Sequence, residues 1–136
     1  MGRTNGTVTL GLCAAFQARG LAVQAFKKGP DYIDPMWLAL ASGRPCLNLD
    51  AYLMNDASMA AMFRAAASSA ELSLIEGNKG LYDGLSLDGS NSNAALAQRL
   101  AAPVLLVIDA RGMTRGIAPL ILGYQAFDPR IRIGGV

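Results

Sequence analysis

The acidic residues of this chain are few, and most of them stand where chemistry could use them. Of the ten Asp and Glu residues, most fall in predicted loops or at the ends of predicted strands. These are Asp31, Asp34, Asp50, Glu76, Asp83, Asp88 and Asp109. In an open parallel sheet, ligands bind beyond the carboxyl ends of the strands, so these carboxylates are expected to converge on one crevice. A carboxylate cluster there is either neutralised by a metal ion or raises its own pKa values, which favours a site for Mg²⁺ and phosphate.

Each acid also has a purely structural interpretation. Asp31 and Asp34 can be turn residues, and Asp109 can cap a helix. Other kinds of site are excluded by composition, because the chain has no histidine and therefore no Ser-His or Cys-His nucleophile site of its own. Cys13 and Cys46 stand in no metal or redox spacing, so we expect buried free thiols in a cytoplasmic protein.

The elements that must position the acids alternate between helices and short apolar strands. Strands are predicted at 22–26, 72–76, 103–109 and 130–136. Helices are predicted at 8–16 with an end at Gly20, within 36–43, from Asn55 or Asp56 onward, at 93–100 and at 117–125. This alternation predicts an α/β fold in which the four strands form one parallel sheet with helices on both faces.

Composition sets further bounds on the classes of protein that the chain can represent. The 136 residues suffice for one domain, 1–136, with a sizeable core. Hydrophobic residues make up 52%, charged residues 16%, and the net charge is only +2, so we expect no nucleic-acid partner. No run is long and apolar enough for a membrane span, and no signal peptide is seen, so no membrane partner is expected either.

The first residues, GRTNGTVTLGL, resemble a phosphate-binding loop that runs into a helix. Such a loop normally reads G-x-x-x-x-G-K-[ST], follows a buried strand, and carries a lysine for the β- and γ-phosphates. Here no strand precedes the glycines, and the lysine is missing: without gaps, Asn5 and Gly6 replace Lys and the Thr after it, and with a two-residue deletion Gly6 is the loop glycine and the Lys-Thr pair before Thr7 is absent. The stretch is either a degenerate phosphate loop or an ordinary helix start.

Four longer motifs carry a family resemblance: FKKGPDYIDP, GRPCLNLD, EGNKGLYDG and APVLLVIDARGM. In order and spacing they resemble the synthetase domain of the cobyrinic acid a,c-diamide synthase family, which belongs to the dethiobiotin-synthetase-like P-loop enzymes. EGNKGLYDG followed by DGSNSNAALA is more similar to the branch linked to siroheme amidation beside dissimilatory sulfite reduction. The resemblance covers essentially the whole chain.

The resemblance implies an ATP- and Mg²⁺-dependent ligase that phosphorylates tetrapyrrole carboxylates and replaces the phosphate with ammonia from glutamine. It implies roles for three groups of residues. The catalytic group is Lys27, Asp31, Tyr32, Asp34 and Asp83; the metal ligands are Glu76 and Asp50; and Ile33, Ser90 and Asn91 contact substrate. Gly6, Thr7, Thr9 and Asp109 would lie at the nucleotide. For Ser90, Asn91 and Asp109, turn and capping roles remain open alternatives.

The chain departs from the family pattern in three respects. Family members read roughly S-G-x-G-K-T-T-V-T-L-G-L, so TVTLGL fixes the register, and the phosphate lysine is absent. The strand that leads into the loop, central in this fold, is also absent, so the sheet should show a gap or an exposed edge. The glutaminase-like domain of the family is missing. An open sheet edge can recruit a second copy, so a homodimer is one expectation.

Two functions are therefore carried forward. The first is the synthetase part of an ATP-dependent, glutamine-linked tetrapyrrole amidase, inactive as this isolated chain. The second is a non-catalytic module for binding or assembly that keeps the fold with a degenerate phosphate loop.

Overall fold

The structure, a computed structural model, describes residues 2–136 as an alternation of five helices and five strands. The helices are α1 (Gly2–Ala18), α2 (Ile33–Ser42), α3 (Asp56–Ala67), α4 (Asn93–Arg99) and α5 (Ile117–Phe127). The strands are β1 (Val23–Lys28), β2 (Leu47–Leu49), β3 (Leu72–Glu76), β4 (Val104–Leu105) and β5 (Ile133–Gly135). None of the described helices is long and apolar enough to cross a membrane.

Every strand pair is parallel, which confirms the predicted fold class. β1 is the centre of a three-stranded sheet in the order β2-β1-β3, with Val23 opposite Leu72 and Lys27 opposite both Asn48 and Glu76. Because the strands are parallel, their carboxyl ends lie at one edge, and the loops after β1, β2 and β3 all leave from that edge.

The prediction of one continuous sheet is wrong. β4 and β5 form a separate two-stranded parallel sheet, and no ladder joins β3 to β4 among the described strands. The strand predicted at 103–109 is reduced to Val104–Leu105, and Leu105 is 53% exposed. A strand keeps its ladder only where a neighbour pairs with it, so the break agrees with the gap expected where a central strand is missing.

Helices cover both faces of the larger sheet. On one face, Val23, Ala25 and Leu74 pack against α1 and α2 through Cys13 and Leu38. On the other face, the apolar cluster draws on α3 and α4 as well as on the sheet. Its buried members are Phe26, Leu49, Met59 and Leu96. Because helices cover both faces of the sheet, the strands contain apolar residues at consecutive positions.

Helix α4 connects the two sheets. Its Leu96 belongs to the cluster on the larger sheet, whereas its Ala94 packs with Leu81, Leu106 and Ile131 beside the smaller one. Ser92 caps α4 by accepting a hydrogen bond from the Ala95 amide at 3.1 Å. The loop between β3 and α4 is therefore anchored at both ends.

The helix ends follow the sequence signals closely. Asn55 caps α3 by accepting from the Ser58 amide at 2.8 Å, as predicted. Gly20 and Gly43 adopt positive φ angles of 85° and 70° after α1 and α2, a conformation that favours glycine. Strand β2 was not predicted, because three residues next to a proline give too short a pattern.

Candidate functional site

A buried lysine gathers three carboxylates at the carboxyl edge of the larger sheet. Lys27 Nζ lies 2.7 Å from Glu76 Oε1, 2.8 Å from Asp34 Oδ2 and 3.8 Å from Asp31 Oδ2. The Lys27 and Glu76 side chains are 5% and 1% exposed, so water screens their interaction little. We call these four residues the Lys27 cluster.

The cluster carries more negative than positive charge. Three carboxylates around one ammonium leave an excess of two negative charges. Burial raises the pKa of Glu76 although Lys27 opposes that shift, and the hydrogen bond from Lys27 lowers the pKa of Asp34. Burial by itself would lower the pKa of Lys27, but the hydrogen bonds to Asp34 and Glu76 outweigh it and raise that pKa. An added cation would therefore be attracted to this site.

Strand register and a helix start bring the cluster together. Lys27 and Glu76 are direct partners in the β1–β3 ladder, so their side chains leave the sheet on the same face. Asp31 Oδ1 accepts from the Ile33 amide at 2.9 Å and from the Asp34 amide at 3.3 Å, which begins α2 and fixes Asp34 toward Lys27. The predicted convergence is thus confirmed for Asp31, Asp34 and Glu76.

Helix α1 passes directly over Glu76. A Cβ atom at Gly6 would lie 3.7 Å from Glu76 Oε1, so the cluster faces the N-terminal part of α1. The other carboxylate oxygen, Glu76 Oε2, is buried and has no hydrogen-bond partner among the described residues. A buried oxygen without a donor leaves a position at which a cation or a donor could bind.

The residues expected at the phosphate loop are helical. Asn5, Gly6 and Thr7 all lie within α1, which begins at Gly2. Only the first four amides of a helix lack an internal partner, so the Gly6 and Thr7 amides are used by the helix. The Thr9 hydroxyl likewise donates to the Asn5 carbonyl at 2.9 Å. In this structure the stretch is a helix start and not a phosphate cradle, and the nucleotide roles of Gly6, Thr7 and Thr9 stay predictions.

Asp83 does not join the cluster. Its Oδ2 accepts from the Gly80 amide at 3.1 Å and its side chain is exposed. The expectation that Asp83 shares the rim with the other three carboxylates is therefore not met by a contact, because a tight turn at 80–83 holds its carboxylate locally. Its proposed role toward the reacting carboxylate stays a prediction.

Two asparagines that sequence reasoning missed hold the loop after Glu76. Asn93 Nδ2 donates to the Gly80 carbonyl at 2.9 Å and also to the Asn78 carbonyl, while Asn93 Oδ1 accepts from the Asn78 amide at 3.2 Å. A Cβ at Gly77 would lie 2.9 Å from Asn93 Oδ1, so this contact requires glycine there. The repeated Asn and Gly in EGNKG and in SNSN were the only sequence signal.

Three residues farther along the chain were predicted to contact substrate or nucleotide, and in this structure they contact neighbouring residues of their own turns. They are Ser90, Asn91 and Asp109. Asn91 Oδ1 accepts from the Leu85 and Ser86 amides at 2.8 and 3.2 Å, and the Ser90 amide donates to Asp88 at 2.9 Å. Asp109 forms an ion pair with Arg111 that lowers the Asp109 pKa to about 2. These contacts favour the structural alternatives, and the substrate and nucleotide roles of the three residues stay predictions.

The remaining predicted residues surround a cavity next to the cluster. Tyr32 and Asp50 line it, whereas Ile33 is exposed on α2. Neither Glu76 nor Asp50 belongs to a group of three His, Cys, Asp or Glu residues suited to a metal, since no such group occurs in the part of the chain that is described. Mg²⁺ commonly uses one or two carboxylates together with phosphate oxygens and water, so the free Glu76 Oε2 fits such a site.

Curated relatives cover nearly the whole chain. Cobyrinate a,c-diamide synthase of Magnetococcus marinus is 51% identical over 129 residues, which are 95% of this chain and 28% of that protein. Cobyrinate a,c-diamide synthase of Syntrophotalea carbinolica is 47% identical over 131 residues, 96% of this chain and 28% of the relative. Hydrogenobyrinate a,c-diamide synthase of Streptomyces coelicolor is 48% identical over 131 residues, which are 96% of this chain and 27% of that protein. This chain therefore spans little more than a quarter of the length of these relatives, and no family model matches it.

Proposed function

Because this chain belongs to the cobyrinate a,c-diamide synthase family, we propose that it forms the ATP-dependent synthetase part of an enzyme that amidates tetrapyrrole carboxylates. The observation that carries the proposal is the Lys27 cluster. It has an excess of two negative charges and a free, buried Glu76 oxygen at the carboxyl edge of a parallel sheet. Structural turns alone do not require a buried carboxylate with two more carboxylates beside it, whereas a site for a metal-bound nucleotide does.

Two steps make up the proposed reaction. An oxygen of the substrate carboxylate attacks the γ-phosphorus of ATP, and ADP leaves. Ammonia then attacks the carbon of the acyl phosphate, inorganic phosphate leaves, and the nitrogen loses one proton. Phosphoryl transfer depends mainly on positioning and on charge neutralisation, to which the carboxylates of this chain would contribute by holding Mg²⁺.

Each residue of the cluster has a part in this scheme. Glu76 would hold Mg²⁺ through its free oxygen, with Asp50 as a second ligand, and the ion when bound would neutralise phosphate charge. Lys27 fixes Asp34 and Glu76 through hydrogen bonds of 2.8 and 2.7 Å, so it would orient the Glu76 carboxylate toward the metal. Asp31 and Tyr32 lie where the loop enters α2, and they would contact the substrate. Asp83, Ile33, Ser90 and Asn91 would contact the substrate.

The isolated 136-residue chain is expected to bind ATP–Mg²⁺ weakly or not at all and to amidate nothing. A charge-assisted contact to phosphate is worth roughly 1.5–3 kcal/mol, and none is available from the position of the phosphate lysine. Loss of such a contact from a transition state costs on the order of 10²–10³ in rate. Ammonia supply would come from the glutaminase domain that the resemblance implies, and the identity of the tetrapyrrole, whether cobyrinate-like or siroheme-like, belongs to the same proposal.

The second candidate is a non-catalytic binding or assembly module. The observation that favours it is the helical conformation of Gly6 and Thr7, which uses their amides, the donors that a phosphate would need. A single experiment separates the two functions. Calorimetric titration with ATP, with and without Mg²⁺, is done on this chain and on a chain carrying an added leading strand and a Gly-Lys-Thr-Thr loop. The synthetase proposal predicts Mg²⁺-dependent binding, and amidation with free ammonia, only in the second protein; binding by neither supports the module.

A further inference from the structure

Two lysines at the carboxyl edge of the larger sheet have no ion-pair partner among the described residues. The first is Lys28, which follows Lys27 in β1, so the two side chains leave the strand on opposite faces. Lys28 is half-buried, and no carboxylate in the described part of the chain lies within ion-pair distance of it. Its hydrogen bond to Asn78 Oδ1 is long, at 3.4 Å. A partly desolvated ammonium group without a counter-ion indicates a position for an anion.

The second lysine, Lys79, lies in the loop between β3 and α4. Its φ angle is 53°, in the left-handed region that favours glycine. Asn93 holds the residue on either side, through the Asn78 amide at 3.2 Å and the Gly80 carbonyl at 2.9 Å, so this conformation is fixed. The Lys79 side chain is exposed. Backbone strain of this kind clusters at ligand-binding sites.

Asn78 brings the two lysines together. Its Oδ1 accepts from Lys28 Nζ, and Lys79 is the next residue in the chain. Burial lowers the pKa of Lys28, the charge of Asp50 opposes that shift, and the charge of Lys79 adds to it, so both charges reach Lys28. Two ammonium groups against one carboxylate leave an excess of one positive charge here, whereas the Lys27 cluster has an excess of two negative charges.

The loop after β1 is fixed beside this pair. Asn48 Nδ2 donates to the Gly29 carbonyl at 2.7 Å and to the Asp31 carbonyl at 2.6 Å. A Cβ atom at Gly29 would lie 3.3 Å from Asn78 Nδ2, so the Asn78 amide group packs against this loop. Asn78 Nδ2 itself donates to no described residue. Two ammonium groups and one amide N–H group are therefore available to an acceptor.

We propose that Lys28, Lys79 and the Asn78 amide group bind an oxyanion, either a carboxylate of the substrate or a phosphate of the nucleotide. The donors suit both groups, because an ammonium group forms charge-assisted hydrogen bonds with carboxylate and phosphate oxygens alike. The identity of the natural ligand rests on the proposed function, in which both ligands are polyanions that approach an edge with two excess negative charges. The unpaired lysines attract such a polyanion to this edge.

The test uses tricarballylate and pyrophosphate as probes for the two sources of oxyanion, with the neutral tricarballylamide as a match in shape. Titrations followed by ¹H–¹⁵N NMR are run near pH 7 at low salt, without ATP or Mg²⁺. At least one anion should shift the amides of residues 28–29 and 78–80, and the neutral amide should not. The anion that binds more tightly identifies the source, and the absence of these shifts with both anions would overturn the inference.

Two variants test the lysines one at a time. Lys79→Gly removes the ammonium group and the backbone strain together, so it should keep or raise the melting temperature while affinity for the anion falls about threefold to tenfold. Ala101→Gly is its matched control, because Ala101 has a φ angle of 51° and carries no charge, so the affinity should not change. Lys28→Met should weaken anion binding about tenfold or more, and Lys28→Arg should retain most of it.

An anion affinity that stays unchanged in either Lys28→Met or Lys79→Gly would overturn the inference, as would equal shifts with the neutral amide. If Lys28→Met does not fold, the comparison of Lys79→Gly with Ala101→Gly decides alone. Failure here is distinct from failure of the synthetase proposal, because ATP and Mg²⁺ are absent from every arm and the nucleotide titration is read separately.

Discussion

Lys27 Nζ lies 2.7 Å from Glu76 Oε1, and both side chains are almost fully buried between β1, β3 and α1. The two residues are partners in the strand ladder and stand 49 positions apart in the chain. Their contact therefore joins β1 to β3 at the edge of the sheet from which the loops after these two strands leave. The stability and the chemistry of this edge depend on the same ion pair.

Removing the ammonium should strongly destabilise the chain. Lys27→Met leaves buried Glu76 without its counter-ion, and breaking a buried pair in this way costs about 3–5 kcal/mol of unfolding free energy. The double variant Lys27→Met/Glu76→Leu should recover much of that loss, because no buried charge then remains between the strands. Urea unfolding measures both, with the exposed Arg115→Met as control, expected within about 0.5 kcal/mol of the parent. A loss below about 1 kcal/mol for Lys27→Met would show that the pair is not formed.

The raised pKa of Glu76 gives a pH dependence with a definite sign. Because the folded state binds this proton more tightly than the unfolded state, stability contributed by Glu76 falls as pH rises above its ordinary pKa of 4.5. The slope from one such group cannot exceed about 1.4 kcal/mol per pH unit. The hydrogen bond from Lys27 lowers the pKa of Asp34, so the effect of Asp34 on stability has the opposite sign. The stability that Asp34 contributes is lost only as pH falls below its ordinary pKa of 3.8.

Glu76→Gln should therefore remove the decline in stability between pH 4.5 and 7. Chemical unfolding at half-unit pH steps measures it, and Asp56→Asn serves as the control for losing an exposed carboxylate. If the Glu76→Gln curve runs parallel to the parent curve over that range, Glu76 does not titrate as described.

The turn after β3 should reject even one methyl group. In Gly77→Ala the new Cβ would lie 2.9 Å from Asn93 Oδ1, so Asn93 must move and its hydrogen bonds to Asn78 and Gly80 weaken. We expect a loss of about 1–3 kcal/mol in thermal or urea unfolding.

The matched control for that substitution is Gly11→Ala in α1. No atom lies within 4 Å of the Cβ position there, and alanine favours the helix, so stability should rise by about 0.5–1 kcal/mol. Equal effects of the two substitutions would contradict the close packing at Gly77.

The cysteines should be inert while the chain is folded. Burial, with a smaller effect of Glu76, raises the pKa of Cys13 to about 11, and burial likewise raises that of Cys46 to about 12. The reactive thiolate is then scarce at pH 8, so labelling by Ellman's reagent should be slow for both and become fast in urea. Rapid labelling of Cys13, which is 0% exposed, would show that the α1–β1 interface opens readily.

The sequence allowed the convergence of Asp31, Asp34 and Glu76 to be predicted, because parallel strands place their carboxyl ends at one edge. It also placed α3, β3 and α5 well, since their caps and apolar spacing are local. Lys27 was predicted to belong to the catalytic group, but its position between carboxylates depends on the register between β1 and β3, which no local pattern encodes. The contacts of Asn48 and Asn93 join residues 13 to 19 positions apart in the chain and were missed for the same reason.

The split of the sheet could be foreseen only in outline. The expected absence of a central strand predicts a gap in the sheet. The shortening of β4 to Val104–Leu105 follows from its pairing with β5.

One titration tests the synthetase account most directly. A chain with an added leading strand and a Gly-Lys-Thr-Thr loop before Val8 is titrated with ATP by calorimetry, with and without Mg²⁺, beside its Glu76→Gln variant. The account predicts Mg²⁺-dependent ATP binding that Glu76→Gln weakens about tenfold or more, because the variant loses the carboxylate proposed to hold the metal. Binding that is equally tight without Mg²⁺, or unchanged in Glu76→Gln, would contradict it.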